Sequence, residues 1–308
     1  MMLCLRKSEG QGRPFLHQSD KDPHLILPGF DIDAFVQSTL AEDMGGPPGA
    51  GGRDVTSESV IPADAMFTGV MDSRDPVTVA GLPIAEAFFR ALDPDVEIEI
   101  LAREGDVVAP GAHLMRIRGK ARALLTAERS ALNTVQHLTG IATLTRAYVD
   151  KIAGTGAILL DTRKTIPGLR LLDKYATRMG GAQNHRLGLW DAAMIKDNHI
   201  AVAGSVGQAA GAARAAGIAR IIVEVDRIDQ IEPAIAGGAT HLLLDNMPPE
   251  ILRGAVTLVG KRVPTEASGG IKLENIREIA ETGVDYISVG RLTQSAPAAD
   301  IGLDFSND

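Results

Sequence analysis

Cysteine is nearly absent from this 308-residue sequence, in which Cys4 is the only one. A single cysteine cannot form an internal disulfide, so the composition fits a reducing compartment and we predict a cytoplasmic protein. The sequence also has no apolar run near the roughly 18 residues that a membrane-spanning helix requires. We therefore predict that the protein has no membrane partner.

Positive charge is in the minority, because 31 Lys and Arg stand against 39 Asp and Glu, for a formal net charge of −8. A protein that follows nucleic-acid phosphates needs a cationic surface, so the composition argues against a nucleic-acid partner. Hydrophobic residues make up 45% of the chain, enough for the core of one large domain or two modest ones. Because negative charge is in excess overall, a cationic site in this chain must be a local cluster of positive residues.

The first half of the sequence predicts a small domain of mixed helix and strand. Residues 1–28 combine Gly, Pro, Ser and scattered charge without a period, which indicates a flexible N-terminal extension. A first helix is expected over residues 31–42, and strand-like alternation follows from 60 to 117, interrupted by a helix at 82–92. We place this domain at residues 29–133.

The second half predicts a parallel α/β barrel over residues 134–295, entered through a long helix at about 121–152. Glu224, Asp245 and Glu266 follow one another at steps of 21 residues, the repeat of short strand and helix units in a barrel. The alternative is a doubly wound open sheet, which would need a glycine-rich dinucleotide fingerprint that the sequence lacks. The predicted strands lie at 157–160, 192–195, 220–225, 241–244, 263–267 and 286–289, and the helices at 206–216, 228–236, 249–259 and 273–282.

Nearly every predicted barrel strand ends in an ionisable or phosphate-binding residue. Because the carboxyl ends of parallel strands meet on one face of a barrel, we expect these side chains to share one mouth. Capping of strands toward solvent would explain any one of them, but not the order of basic residues early and acidic residues late. The residues are Asp161, Arg163, Lys164, Lys196, Asp197, Glu224, Asp226, Asp245, Asn246, Ser268, Gly269, Gly270 and Gly290.

A group of cations in this acidic chain predicts a ligand with several negative charges. Arginine binds carboxylates and phosphates through two parallel hydrogen bonds, whereas lysine acts as a point charge. The group comprises Arg129, Arg163, Lys164, His185, Arg186 and Lys196.

Two further features favour a phosphorylated sugar as the second ligand. The turn Ser268-Gly269-Gly270 and Gly290 lie on the last two strands, where backbone groups can approach a terminal phosphate. Glu224 and Asp245 can hold magnesium, bind ribose hydroxyls or stabilise positive charge at a sugar carbon, or they can simply form salt bridges and caps. The combination predicts glycosyl transfer.

At this point the sequence resembles a known family, quinolinate phosphoribosyltransferase. The likeness runs from about residue 30 to the C-terminus and is most specific over residues 160–200. It is carried by LLTAERSALN (124–133), LDTRKTIPGLRLLDKYATRMGGAQNHRLGLWDAAMIKDNHI (160–200), VEVD (223–226), LLDN (243–246), ASGGI (267–271) and GVDYISVG (283–290).

The resemblance implies an incomplete α/β barrel of the type II phosphoribosyltransferase kind with an N-terminal α/β sandwich domain, to which the C-terminal segment 296–308 returns. It implies transfer of the phosphoribosyl group of PRPP to quinolinate with decarboxylation, which gives nicotinate mononucleotide, pyrophosphate and CO2 in NAD biosynthesis. It also implies Mg²⁺, brought with PRPP, and a homodimer.

The resemblance further implies roles for individual residues. The cations, including Arg129 from the neighbouring subunit, surround the quinolinate carboxylates and nearby PRPP groups. Glu224 and Asp245 face the ribose and magnesium pyrophosphate, and the turn with Gly290 holds the 5-phosphate. The substrate-binding set is Arg129, Thr162, Arg163, Lys164, His185, Arg186, Lys196, Glu224, Asp245, Ser268, Gly269, Gly270 and Gly290, of which Lys164, Lys196, Glu224 and Asp245 are the catalytic ones.

Two positions depart from the family pattern. The family commonly reads ALTHS after its last strand, where this chain has Arg291-Leu292-Thr293-Gln294-Ser295. Gln294 therefore stands in place of a histidine, although its amide can still donate a hydrogen bond to phosphate. Trp190 stands where smaller or polar residues are more usual.

Other functions compete with this interpretation. A related barrel protein found with molybdenum transport lacks the lysine motif IKDNH seen here at 195–199. An aldolase would form a Schiff base on Lys164 or Lys196, and a phosphometabolite sensor would bind without turnover. A biotin or lipoyl carrier has a turn like that at 104–111, but no lysine occupies its tip here.

Overall fold

In a computed structural model the protein is described from residue 29 to residue 305. The predicted flexible extension, residues 1–28, lies outside the described residues, as do residues 306–308. The helices are α1 (Ile32–Met44), α2 (Val55–Val60), α3 (Leu82–Leu92), α4 (Ala121–Lys151), α5 (Arg170–Met179), α6 (Asp197–Ala203), α7 (Val206–Ala215), α8 (Ile231–Gly237), α9 (Pro249–Val259), α10 (Ile276–Ala280) and α11 (Arg291–Gln294), with a 3-10 helix at Ile228–Gln230. The strands are β1 (Met66–Ser73), β2 (Val77–Thr78), β3 (Glu97–Ile100), β4 (Val107–Val108), β5 (His113–Lys120), β6 (Ile158–Leu160), β7 (Ala193–Ile195), β8 (Ile221–Val225), β9 (His241–Asp245), β10 (Thr265–Ser268), β11 (Tyr286–Ser288) and β12 (Ile301–Phe305).

The first helix begins and ends at residues with capping chemistry. The side chain of Asp31 accepts a hydrogen bond from the Ala34 N–H at 2.9 Å, which satisfies one free donor of the first turn. Gly45 ends the helix with φ of 72°, a left-handed conformation that glycine adopts without strain. The helix therefore runs slightly beyond the predicted range 31–42.

The N-terminal domain is an antiparallel sheet of four strands in the order β12-β1-β5-β3, with α1, α3 and α4 packed around one hydrophobic core. Strand β12, from the end of the chain, pairs antiparallel with β1, with Ser73 opposite Ile301 and Gly69 opposite Phe305. The helix predicted at residues 82–92 is α3, and its Phe88 makes an edge contact with Phe35 of α1 at 5.9 Å between ring centroids. The domain is thus a sandwich of a sheet and helices.

The long helix α4 belongs to both halves of the described chain. Its residues from Leu124 to Ala142 pack in the core of the N-terminal domain, whereas Tyr148 packs in the core of the barrel. No described helix, this one of 31 residues included, is both long and apolar enough to cross a membrane.

The second sheet is parallel throughout, with six strands in the order β6-β11-β10-β9-β8-β7. Among the described residues the two end strands, β6 and β7, are not paired with each other, and a single bridge from Leu160 to Gln183 borders β6 on its open side. The predicted fold class, an incomplete parallel α/β barrel with an N-terminal α/β sandwich domain, is confirmed.

One predicted barrel helix is shorter than expected. The range 273–282 contains only α10, because the Asn275 side chain accepts a hydrogen bond from the Lys272 N–H at 2.7 Å and closes a turn there instead. Helices α2, α5, α6 and α11 were not predicted. Asp54 caps α2 through hydrogen bonds from Thr56 N–H and Ser57 N–H, each 3.0 Å long.

A buried carboxylate, Glu104, connects the two halves. It accepts hydrogen bonds from the Gly81 N–H at 2.8 Å and the Leu82 N–H at 2.9 Å, at the beginning of α3. The Tyr175 hydroxyl of α5, on the barrel side, donates to the same carboxylate. Burial, followed by the charge of Glu104, raises the pKa of Tyr175, so this hydroxyl keeps its proton and remains a donor.

Glu104→Ala is expected to reduce the free energy of unfolding by about 3 kcal/mol or more, because it leaves three buried donors without this acceptor. The matched control, Tyr175→Phe, leaves the carboxylate with its backbone donors and should cost about 1 kcal/mol. Urea denaturation followed by circular dichroism measures both. Equal losses in the two variants would show that Glu104 does not hold the beginning of α3.

Candidate active site

A cavity of about 790 Å³ opens where the barrel strands end. Arg129 is exposed on α4 and does not line the cavity of its own chain. The other predicted site residues all line it: Thr162, Arg163, Lys164, His185, Arg186, Lys196, Glu224, Asp245, Ser268, Gly269, Gly270 and Gly290.

Three charged residues at strand ends were expected at the same mouth and are not there. Asp161 is fully buried behind the cavity wall, Asp197 begins helix α6, and Asp226 is exposed and paired with Arg227 at 3.5 Å. The expectation that all strand-end charges converge is therefore wrong for these three. All three residues lie beyond the last residue of their strands, where the alternation of strand side chains no longer fixes the direction in which a side chain points.

Asp161 instead fixes the segment that carries two cavity residues, His185 and Arg186. Its carboxylate accepts hydrogen bonds from the His185 N–H at 2.8 Å, Asn184 Nδ2 at 2.6 Å and Thr177 Oγ1 at 3.1 Å. Lys174 of α5, also fully buried, completes the set by donating to the same carboxylate.

Lys174 ties the segment down a second time, because it also donates to the His185 carbonyl at 3.0 Å. Burial lowers the pKa of this lysine, and the charge of Asp161 acts in the opposite direction. A buried ion pair is tolerated when further hydrogen bonds satisfy its remaining donors and acceptors, as they do for Asp161. The segment from Asn184 to Arg186 is thereby held against the open side of the barrel.

Two arginines on this wall have donors that point at no protein acceptor. Arg186 is mostly buried and donates from Nη1 to the Ala192 carbonyl at 2.9 Å. Its Nε and the Nε of Arg163 are both buried, and neither has a hydrogen-bond partner within residues 29–305. Burial, and then the charge of Arg163, lowers the pKa of Arg186, so the two guanidinium groups repel each other, and an anion between them would relieve that repulsion.

Glu224 and Asp245 lie on the adjacent strands β8 and β9. Lys196 donates to Glu224, so this lysine is paired with a carboxylate, unlike Arg163 and Arg186, whose Nε donors have no partner within residues 29–305. Burial, followed by the charge of Glu224, raises the pKa of Asp245. Lys196, a hydrogen bond from Asn246 at 2.6 Å, and Lys164 act in the opposite direction.

Two of the three glycines of the predicted phosphate cradle, Gly269 and Gly290, lie close to neighbouring side chains. Gly269 has φ of 86°, and a Cβ there would lie 2.2 Å from Asn246 Oδ1. A Cβ on Gly290 would lie 2.7 Å from Cδ of Lys164. Any larger residue at these positions would therefore disturb the cavity wall.

Sequence reasoning assigned no site role to several residues that line the cavity. Lys272 and Arg291 add positive charge beside the cradle, and Glu266 and Ser288 lie on its inner strands. Strand alternation offered a signal for Ser288, which lies two residues before the predicted site residue Gly290. Of the two unusual positions, Gln294 lines the cavity, whereas Trp190 is 79% exposed and does not.

Comparison with known proteins finds relatives of this chain over nearly all of its described length. Residues 54–139 match the family model described as quinolinate phosphoribosyl transferase, N-terminal domain, and residues 141–304 match the C-terminal domain of the same family. The chain is 46% identical over 259 residues to the nicotinate-nucleotide pyrophosphorylase [carboxylating] of Mycobacterium leprae, covering 82% of this chain and 91% of that protein.

Solved structures of similar proteins have the same fold as this chain. The nicotinate-nucleotide pyrophosphorylase of Francisella tularensis superposes with a TM-score of 0.83 at 37% identity, covering 89% of this chain and 96% of that one. The corresponding protein of Ehrlichia chaffeensis gives a TM-score of 0.85 at 36% identity, covering 90% of this chain and 100% of that one.

Asn246→Gly is expected to raise the pKa of Asp245, because it removes a hydrogen bond to the carboxylate, the form that this bond favours. As pH falls, Asp245 should therefore take up its proton at a higher pH than in the wild type. Asn246 has φ of 54°, so glycine fits without backbone strain. Carbon-13 NMR of the side-chain carboxyl groups measures the midpoint, with Asp245→Asn identifying the resonance. An unchanged midpoint would contradict the contribution of Asn246.

Proposed function

The chain belongs to the quinolinate phosphoribosyltransferase family, and we propose that this cavity transfers the phosphoribosyl group of PRPP to quinolinate. The ring nitrogen of quinolinate bonds to the anomeric carbon while the bond from that carbon to pyrophosphate breaks. The carboxylate next to the now positively charged nitrogen leaves as CO2, its bonding electrons are accepted by the ring, and a proton takes its place. The product is nicotinate mononucleotide, an intermediate of NAD biosynthesis.

The observation that carries this proposal is the pair of buried, unpartnered guanidinium donors on Arg163 and Arg186. A dicarboxylate such as quinolinate supplies acceptors for both and removes their mutual repulsion. Lys164 and His185 line the same wall. The proposed quinolinate subsite is therefore formed by residues after β6 and by the segment that Asp161 anchors.

The other side of the cavity fits the sugar phosphate. We assign the 5-phosphate of PRPP to Ser268, Gly269, Gly270 and Gly290. Glu224 and Asp245 then face the ribose, where negative charge stabilises the positive charge that develops at the anomeric carbon. Lys196 limits the excess negative charge through its pair with Glu224. That pairing also gives no support to the aldolase alternative, in which Lys196 would need to be a neutral nucleophile.

Magnesium is proposed to enter as part of the PRPP substrate. Residues 29–305 contain no group of three or more His, Cys, Asp or Glu side chains arranged to hold a metal ion. Glu224 and Asp245 offer two oxygen-ligand side chains, and Mg²⁺ commonly binds through one or two carboxylates together with substrate phosphates. When bound, the ion would neutralise the departing pyrophosphate. Cytoplasmic location also remains a prediction, since it depends on cysteine usage alone.

A turnover assay with quinolinate, PRPP and Mg²⁺ should yield nicotinate mononucleotide, detected by chromatography. Nicotinate, which lacks the second carboxylate, should be a very poor substrate, because buried cations left unpaired cost about 2 to 5 kcal/mol. Quinolinate without PRPP is the control and should release no CO2. Equal turnover of nicotinate and quinolinate would contradict the assignment of Arg163 and Arg186.

Arg129 is proposed to act across a dimer interface. It is exposed, it lies outside its own chain's cavity, and within the described chain it has no carboxylate at ion-pair distance. A twofold interface repeats each contact twice, so an arginine donated by each subunit would complete both sites.

Arg129→Ala and Glu224→Ala should each be inactive alone and recover activity when refolded together. In a mixed dimer one site carries both defects and the other carries neither. Random reassortment makes about half of the dimers mixed, so about a quarter of all sites should be intact. Activity of the mixture measures this, with subunit exchange confirmed by differently tagged chains. No recovery despite exchange would place Arg129 in its own subunit's site or in none.

A further inference from the structure

A second buried acid, Glu266, lies below the proposed quinolinate subsite between two histidines. It stands in β10 with a fully buried side chain and forms part of the cavity floor. The Nε2 of His241, at the beginning of β9, is 2.8 Å from its Oε2, and the Nε2 of His185 is 3.3 Å from the same atom. The proposed function gives Glu266 and His241 no role.

The hydrogen-bond directions follow from the acceptors. An ionised carboxylate only accepts, so His241 must present an N–H to Glu266. The Nδ1 of His185 accepts a hydrogen bond from the Arg186 N–H at 2.7 Å, so the ring proton lies on Nε2, the atom that faces Glu266. One carboxylate oxygen thus holds the His241 ring by a hydrogen bond and lies at ion-pair distance from the His185 ring. Within residues 29–305 no donor reaches its other oxygen, Oε1.

Glu266 keeps its negative charge in this position. Burial alone would raise its pKa, but the interactions with His185, followed by those with His241, outweigh burial and lower the pKa well below the usual range. A buried anion therefore lies beneath a subsite whose proposed ligand carries two negative charges. Such an arrangement weakens ligand binding unless a neighbouring group offsets the buried charge.

His241 is placed to offset it from the side away from the ligand. It is buried, it does not line the cavity, and its ring packs near Tyr286 at 5.7 Å between centroids. His185, by contrast, lines the cavity and lies directly before Arg186 in the chain. The Glu266 carboxylate thus lies between His241, which is outside the cavity, and His185, which is part of the cavity wall.

We propose that Glu266 and His241 form a positioning pair for the quinolinate subsite: Glu266 orients the His185 ring in the wall, and the N–H of His241 stabilises the Glu266 carboxylate from outside the cavity. The proposal rests on the proposed function, because it concerns the affinity of that subsite for a dianion. It makes His241, a residue outside the cavity, a determinant of quinolinate affinity.

Calorimetric binding of quinolinate, with ribose 5-phosphate as the second ligand, tests the pair in the intact protein without turnover. His241→Leu removes the N–H and leaves Glu266 uncompensated, so quinolinate affinity should fall about tenfold or more. Ribose 5-phosphate, assigned to the other side of the cavity, should lose less than about threefold. The matched control His241→Gln keeps an N–H donor and should stay near the wild type.

The decisive variant is the double substitution His241→Leu with Glu266→Gln. Removing the buried charge should restore most of the quinolinate affinity that His241→Leu loses, whereas two independent packing defects would add. Thermal melting of each variant shows whether it is folded. If His241→Leu does not fold, the two single variants His241→Gln and Glu266→Gln still test the pair.

The binding measurements distinguish a failure of the proposed pair from a failure of the proposed function. Equal losses for both ligands, or a double variant weaker than His241→Leu, would reduce the pair to a packing role and overturn this inference alone. A wild-type protein that binds ribose 5-phosphate but no quinolinate would overturn the proposed function and the inference with it.

Discussion

The buried ion pair of Asp161 and Lys174 is the interaction on which the cavity depends. The barrel is open between β6 and β7, and the chain fills this side with an irregular segment that has few sheet hydrogen bonds. Asp161 replaces those bonds with side-chain acceptors, and Lys174 reaches the same segment from α5. Removing one partner of such a pair typically costs about 3 to 5 kcal/mol, because the other charge stays buried. The part of the cavity wall formed by His185 and Arg186 is therefore only as rigid as this pair.

Much of the barrel could be predicted because its signals are local. The steps of 21 residues from Glu224 to Asp245 to Glu266 place three strands, and each is found where the apolar run lies. Helix caps such as Asp31 are also readable from neighbouring residues. Gly269 and Gly290 of the predicted cradle were also found from the sequence, and both lie close to neighbouring side chains.

The parts that could not be predicted depend on partners far apart in the chain. Lys196 looked like a free cation, but its partner Glu224 lies 28 residues away on the next strand. Glu266 and His241 are 25 residues apart and meet only when β9 and β10 pair. Composition and spacing state which charges a chain has, whereas strand order and the direction of each side chain decide which of them remain unpaired.

The pairing of β12 with β1 has a consequence for how the protein is made. During synthesis residues 66–73 leave the ribosome long before residues 301–305, so β1 has an unpaired edge while the whole barrel is being produced. An exposed strand edge is a template for wrong pairing with other chains. The N-terminal domain cannot be completed until residues 301–305 have emerged, and a nascent chain stalled before residue 301 would keep this edge of β1 unpaired.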